Sequence, residues 1–385
     1  MAALGRNAVS LSRCLLKLRP VSVSGQRFLL NGDILGLDNL RRVRVLTQDR
    51  LGTLKGSFME RMQNLTAREG QTIFTEDLKT TVAVTETDED LETLVAMLKR
   101  FCADRAQDTE DSPRPYCFGP PVLRLLHIRN EVDKAVELFQ DESLRSLFDN
   151  ISSYMLIMDM LYKKGRYPEV VEYYKQLKEF GGDDFRYPIN CMTLLFASLY
   201  KINTEESLTL SLKYLRDIQA ARFRPSGRSL SFIAALAVNQ GKPATGLEVC
   251  TSAPNHRIVG VVNIKMICYA QLDRVEEIVP WFRYLLKDER ANLTWKNRIF
   301  SETISAVEEA LARGSVELKQ HILPLIDSLR ADGFIRNDPL RAFLEAPVTR
   351  MLRTSDNFQQ RNRSFNFSGP RSDNMESQGD FNKTF

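Results

Sequence analysis

The strongest constraint in this sequence is a turn that returns every 32 to 38 residues. Five segments fall into one column: Ile128-Arg129-Asn130-Glu131, Lys163-Lys164-Gly165-Arg166, Lys201-Ile202-Asn203-Thr204, Asn239-Gln240-Gly241-Lys242 and Gln271-Leu272-Asp273-Arg274. Their third residues are Asn, Gly, Asn, Gly and Asp, the types that tolerate the left-handed backbone that ends a helix. A period of this length points to stacked units rather than to a single folded core.

The flanks of the turn repeat as well. Seven residues before it stand Leu123, Met158, Phe196, Ala234 and Met266; four before stand Leu126, Leu161, Leu199, Ala237 and Tyr269. Five after come Ala135, Val170, Leu208, Gly246 and Ile278; nine after come Phe139, Tyr174, Leu212, Cys250 and Phe282. Offsets of three and four place each pair on one helix face. Each unit is therefore a helix, a tight turn and an antiparallel helix. Such a hairpin cannot bury its apolar faces alone, so its neighbours stack into an α-solenoid. The expected fold class is all-α.

Composition narrows the partners. Of 385 residues, 53 are basic and 49 acidic, a formal charge of +4. Residues 1–32 hold five of the basic ones (Arg6, Arg13, Lys17, Arg19 and Arg27) and no acid. An acid-free, Arg-rich, Ser-containing amphipathic leader reads as a mitochondrial transit peptide over residues 1–30. Without it the balance is 48 to 49. Nucleic acid would then be held by a local stripe rather than by the overall field. Two basic runs offer themselves: Arg41, Arg42, Arg44, Arg50, Lys55, Arg61 and Arg68, and further on Arg341, Arg350, Arg353, Arg361 and Arg363. Solvated helix faces are the commoner source of such runs. No apolar window is long enough to span a bilayer, and the six cysteines form no C-x-x-C pair.

Catalytic patterns are missing. His127, His256 and His321 have no metal-ligand partner at helical or knuckle spacing, and His127 reads as a packed residue. Asp88-Glu89-Asp90 opens a helix, where acids complement the dipole, and Asp183-Asp184 falls in a turn. Neither a phosphate loop nor a nucleophile elbow occurs. The expectation is a non-enzyme with no catalytic residue, no cofactor and no metal.

The sharpest unit, Ser153 to Tyr167 (SYMLIMDMLYKKGRY), continues to Leu177-Lys178-Glu179-Phe180-Gly181 with Pro168 in the first turn of its second helix. It closely resembles a pentatricopeptide repeat, as does Val261-Val262-Asn263 through Glu277. Taken whole, with Phe118-Gly119-Pro120 and Asn239-Gln240, the chain resembles the mitochondrial pentatricopeptide repeat domain-containing protein 2 family of animals. The tetratricopeptide column of Trp and Leu-Gly-Tyr is not seen. The implied layout is a leader over 1–30 and an N-terminal helical region over 31–115 with a degenerate repeat. Repeats follow over 116–290, a C-terminal helical cap over 291–350 and a disordered tail over 351–385.

The resemblance implies a protein of the mitochondrial matrix that binds single-stranded RNA, not DNA, and takes part in RNA maturation beside processing enzymes. Such repeats read about one base per unit, through the fifth residue of the first helix and the last residue of the unit. Carried through the turn column, the fifth positions are Pro120, Met155, Thr193, Ser231 and Asn263, and the closing ones fall near Asn150, Pro188, Ser226 and Ile258. Thr193, Ser231 and Asn263 have suitable chemistry, and Thr193 with Ser226 makes the one polar pair. Pro120 and Met155 depart from the pattern. A protein-binding scaffold is the competing reading, because helical hairpins hold peptides as well and a near-neutral chain suits that role.

Overall fold

The computed structural model describes residues 29–68, 71–105, 116–180, 187–253, 258–288 and 294–347. The leader over 1–28, Asp183-Asp184, His256 and the tail over 351–385 lie outside the described residues. Leu29 and Leu30 are the first described and are already buried.

The chain is an all-α repeat solenoid. An N-terminal group comprises α1 (Gly32–Leu35), α2 (Leu37–Leu51), α3 (Lys55–Ala67), α4 (Thr75–Val84) and α5 (Asp88–Arg105). Repeating hairpins follow: α6 (Gly119–Arg129) with α7 (Val132–Gln140), then a short α8 (Arg145–Phe148), and α9 (Ile151–Lys163) with α10 (Tyr167–Phe180). Next come α11 (Ile189–Ile202) with α12 (Glu205–Ala220), α13 (Gly227–Asn239) with α14 (Pro243–Thr251), and α15 (Val259–Gln271) with α16 (Val279–Lys287). The segment expected as a cap holds one more hairpin, α17 (Ser301–Arg313) with α18 (Val316–Ala331), and then a short α19 (Leu340–Leu344). Two-residue strands β1 (Ile299–Phe300) and β2 (Ile335–Arg336) pair in parallel and tie the two ends of that hairpin together.

The turn column is the anchor of the repeat. All five of its residues have positive φ: 62° at Asn130, 78° at Gly165, 55° at Asn203, 69° at Gly241 and 54° at Asp273. In four units the residue after the turn donates its N–H to the carbonyl five residues back, from Glu131 to Leu126, Arg166 to Leu161, Lys242 to Ala237 and Arg274 to Tyr269. This is the 6→1 bond that closes a helix C-terminus on a left-handed residue. Asn203 uses the simpler form and donates its own N–H to Leu199 at 3.1 Å.

The columns beside the turn form the core. Only Tyr269 and Leu212 among their twenty residues keep intermediate exposure, and the others are buried. The first helices α6, α9, α11, α13, α15 and α17 pack side by side in one row, and α10, α12 and α14 each wedge between two members of it. Residues 153–162, 191–200 and 229–237 of that row are buried without interruption. A helix that is apolar all round has to be covered on every side. Neighbours and second helices cover three sides of the row; the fourth is the inner face, and what lies there decides what the molecule can hold.

Candidate nucleic-acid interface

The fifth-position residues Met155, Thr193, Ser231 and Asn263 each lie against the start of the next first helix. Thr193 Oγ1 donates to its own helix at Ile189 O (2.8 Å) and meets Ser226 Oγ and Ser229 Oγ, both at 3.3 Å. Ser226 is the N-cap of α13: its hydroxyl accepts from Ser229 N at 3.0 Å and lies 2.9 Å from Ser229 Oγ. Thr193 and Ser226 are thus brought together, with Ser229 as a third hydroxyl that the column rule had not named. Thr193 is buried and Ser226 keeps intermediate exposure.

Asn263 sits at the corresponding place one seam further and is fully buried. Its Nδ2 donates to Val259 O (2.9 Å) and Arg298 O (3.0 Å), while its Oδ1 accepts from Phe300 N and Thr303 Oγ1, each at 3.0 Å. Every hydrogen-bonding direction of this amide is spent inside the protein. Ser231 is buried too and donates to Gly227 O at 2.8 Å. It lies beside Gly260, where a Cβ would stand 2.6 Å from Ser231 Oγ and 3.0 Å from Leu344 Cδ2. The bare backbone of Gly260 is what lets α13, α15 and α19 meet.

The inner face of the row carries charge and aromatic rings that the fifth-position rule does not reach. Lys201 of α11 pairs with Glu345 at 2.6 Å, and Arg228 of α13 donates through Nη2 to Phe343 O (3.2 Å) and Ala346 O (2.6 Å). Burial holds the Arg228 guanidinium below its ordinary pKa. Tyr162 of α9 and Tyr200 of α11 are buried beside this pair. Burial first and the Glu345 carboxylate second push the Tyr162 hydroxyl up, and burial pushes Tyr200 up to about 12. The signal was present in the turn column. Three residues before the turn stand His127, Tyr162 and Tyr200, and two before stand Lys163 and Lys201.

The first units fill the same two columns with a charged cluster. His127 Nε2 lies 2.9 Å from Asp159 Oδ2 and 2.8 Å from Lys163 Nζ, and Lys163 reaches the same Asp159 oxygen at 2.5 Å. His127 is a packed residue joining α6 to α9. Burial lowers the Lys163 ammonium pKa while Asp159 raises it. Among the described residues, no group of three or more His, Cys, Asp or Glu is arranged to hold a metal. Asp90 caps α5 by accepting from Glu86 N and Thr87 N (2.9 and 3.1 Å), a structural use of that acidic cluster.

The first basic run is partly neutralised. Arg41 pairs with Asp38, Lys55 with Glu86 and Arg61 with Asp77, while Arg44 donates to Thr85 O. Of the second run, Arg341 pairs with Glu345 at 2.7 Å and the others lie outside the described residues. Among the described residues no helix is long and apolar enough to cross a membrane.

No family model matches the chain. Curated proteins do. A Mus musculus protein named pentatricopeptide repeat-containing protein 2, mitochondrial, is 25% identical over 324 residues, 84% of this chain and 83% of the relative. Its Homo sapiens namesake is 24% identical over 323 residues, 84% of this chain and 81% of the relative. The Xenopus laevis namesake is 25% identical over 348 residues, 87% and 88% respectively. With its left-handed turn column and its row of paired helices, the chain is a relative of these mitochondrial pentatricopeptide repeat proteins at about a quarter identity over 84% of its length.

Proposed function

We propose that the chain works in the mitochondrial matrix, binds single-stranded RNA along the inner face of its first-helix row, and supports RNA maturation and processing without catalysing a step. One observation carries the reading: Lys201 and Arg228, from consecutive units, converge with Tyr162 and Tyr200 on one face. Cations from neighbouring units can meet phosphates of one strand, and tyrosine rings give bases a surface to stack on. In this reading the seam hydroxyls of Thr193 and Ser226 meet base edges, and Ser231 does so one unit on once Leu344 no longer covers it. Asn263 serves the same path by holding the next seam in register. The names of the relatives support the compartment.

The test is ultraviolet crosslinking of tagged protein inside mitochondria, with sequencing of the recovered RNA. Enrichment at a few transcript positions is the expected result. Recovery equal to an untagged control would sink the RNA reading. It would favour the scaffold reading, for which the helix α19 already seated on the row is the supporting observation.

A further inference from the structure

The inner face is not bare. We infer that α19, with the residues just after it, is a built-in occupant of the RNA path, a surrogate ligand that has to leave before RNA can bind; this rests on the RNA reading above. The segment is seated on the cations of the row and over one fifth-position residue. Its Glu345 carboxylate takes the place of a phosphate against Lys201 and is only 4% exposed. Its backbone oxygens at Phe343 and Ala346 take the Arg228 guanidinium. Leu344 fills the space over Gly260 and Ser231, covering a fifth-position residue. The Phe343 ring lies 5.3 Å from Phe300.

The seat is also made to be left. Arg341, four residues before Glu345 in the same segment, shares its carboxylate, so Lys201 is not the sole cation that holds it. Leu340 N is held by Glu302 Oε2 at 3.1 Å, and burial holds that carboxyl above its ordinary pKa. The helix has five residues, too few to persist alone, so undocking and unwinding are a single event. Release would uncover two cations and the tyrosines together. The N-terminal end of the row is covered by α2 in the same two columns, where Arg41 opposes the charge of Lys163.

The experiment compares the full chain with its Leu344→Asp variant, using a fluorescein-labelled 20-nucleotide oligouridylate as probe. The buried carboxylate at residue 344 ejects α19 and adds no positive charge. The variant should bind about tenfold tighter, as expected when the open form is about one molecule in ten. With two more phosphate contacts, its salt dependence should steepen by about 1.4 in log Kd against log salt. Hydrogen exchange reads the helix independently: amides 342–345 lose protection in the variant, and also in the unaltered protein when the probe is added. That second arm needs no variant to fold.

Release of the helix with unchanged affinity, in a protein that does bind the probe, would overturn the inference and leave the RNA reading standing. Failure of both forms to bind, with a labelled peptide of residues 339–347 captured by the variant, would overturn both in favour of a protein helix as ligand.

Discussion

Two seams of the solenoid show how one column of the sequence can do two kinds of work. At the α11–α13 seam, three hydroxyls share bonds of 2.9 to 3.3 Å, and Ser226 keeps partial exposure. Ser226, the partly exposed one, can trade its neighbour for another partner while Thr193 and Ser229 stay bonded, because each hydroxyl both donates and accepts. At the α15–α17 seam one amide holds four groups at 2.9 to 3.0 Å, two of them the backbone of the β1 approach. Nothing there can be lent to a ligand without leaving a buried partner unsatisfied, which costs about 1–3 kcal/mol per group. Thr193 and Asn263 occupy equivalent places, yet the first seam suits exchange and the second suits fixation.

Replacing Asn263 by Ala breaks the comparison most directly. The substitution strands Phe300 N, Thr303 Oγ1 and Arg298 O in a buried seam. The expected cost is about 3 kcal/mol, a fall of roughly 4 °C in Tm for a chain of this size. Asn263→Asp keeps the acceptor and loses both donations, and it should fall short of folding as well as the parent. Calorimetry or denaturant unfolding reads the outcome. A loss below ~1 kcal/mol would mean that water replaces the amide, and that the seam is as exchangeable as its neighbour.

Much of this was legible in the sequence, and the physical reason differs from part to part. The turn column could be read because a left-handed backbone favours few residue types, and Asn130, Gly165, Asn203, Gly241 and Asp273 are all among them. The flanking apolar columns could be read because a row of helices buried on every side demands them. What a fifth-position side chain touches could not be read: the column names Asn263 but is silent on Phe300 and Thr303, which lie in the next unit. Least legible was the cover on the inner face. Arg228 meets Phe343 across 115 residues of chain, and no local pattern marks a five-residue helix as the occupant of a face built so far upstream. The −3 and −2 columns of tyrosine and lysine were the one available hint.

A milder break is Thr193→Val, which keeps the shape and removes the hydroxyl. Ser226 and Ser229 stay bonded to each other, and Ser226 still caps α13. Stability should therefore fall by only about 0.5–1 kcal/mol. If the seam serves bases, RNA affinity should drop by about threefold to tenfold in the same folded protein, the size of one hydrogen bond. Denaturant unfolding and fluorescence anisotropy on one preparation separate the two effects. A stability loss as large as that of Asn263→Ala would make both seams purely structural. Unchanged affinity would remove Thr193 from the RNA path.

The smallest effect sharpens the comparison through pH. Neither seam contains a hydrogen-bonding group that titrates in acid, so the cost of Asn263→Ala or Thr193→Val should be the same at pH 6 and pH 3. A surface tie between α5 and the end of α7 behaves otherwise. Lys99 lies 2.8 Å from Asp141, whose carboxylate also accepts from Ser143 N and Oγ. The Lys99 ammonium first, and Ser143 second, pull the Asp141 carboxyl down to about 2 from an ordinary 3.8. A depressed pKa means that the folded state prefers the charged form. Its stabilisation is then complete above 3.8 and disappears as pH falls toward 2. Both partners are well hydrated, so the whole effect of Asp141→Asn should stay below ~1 kcal/mol. Urea unfolding at pH 6, 4 and 3 should show this small cost shrinking with acid while the seam costs hold level. A seam cost that shrank in parallel would mean that acid loosens the whole row of helices rather than one surface pair, and the contrast between the two seams would then have to be measured above pH 4 alone.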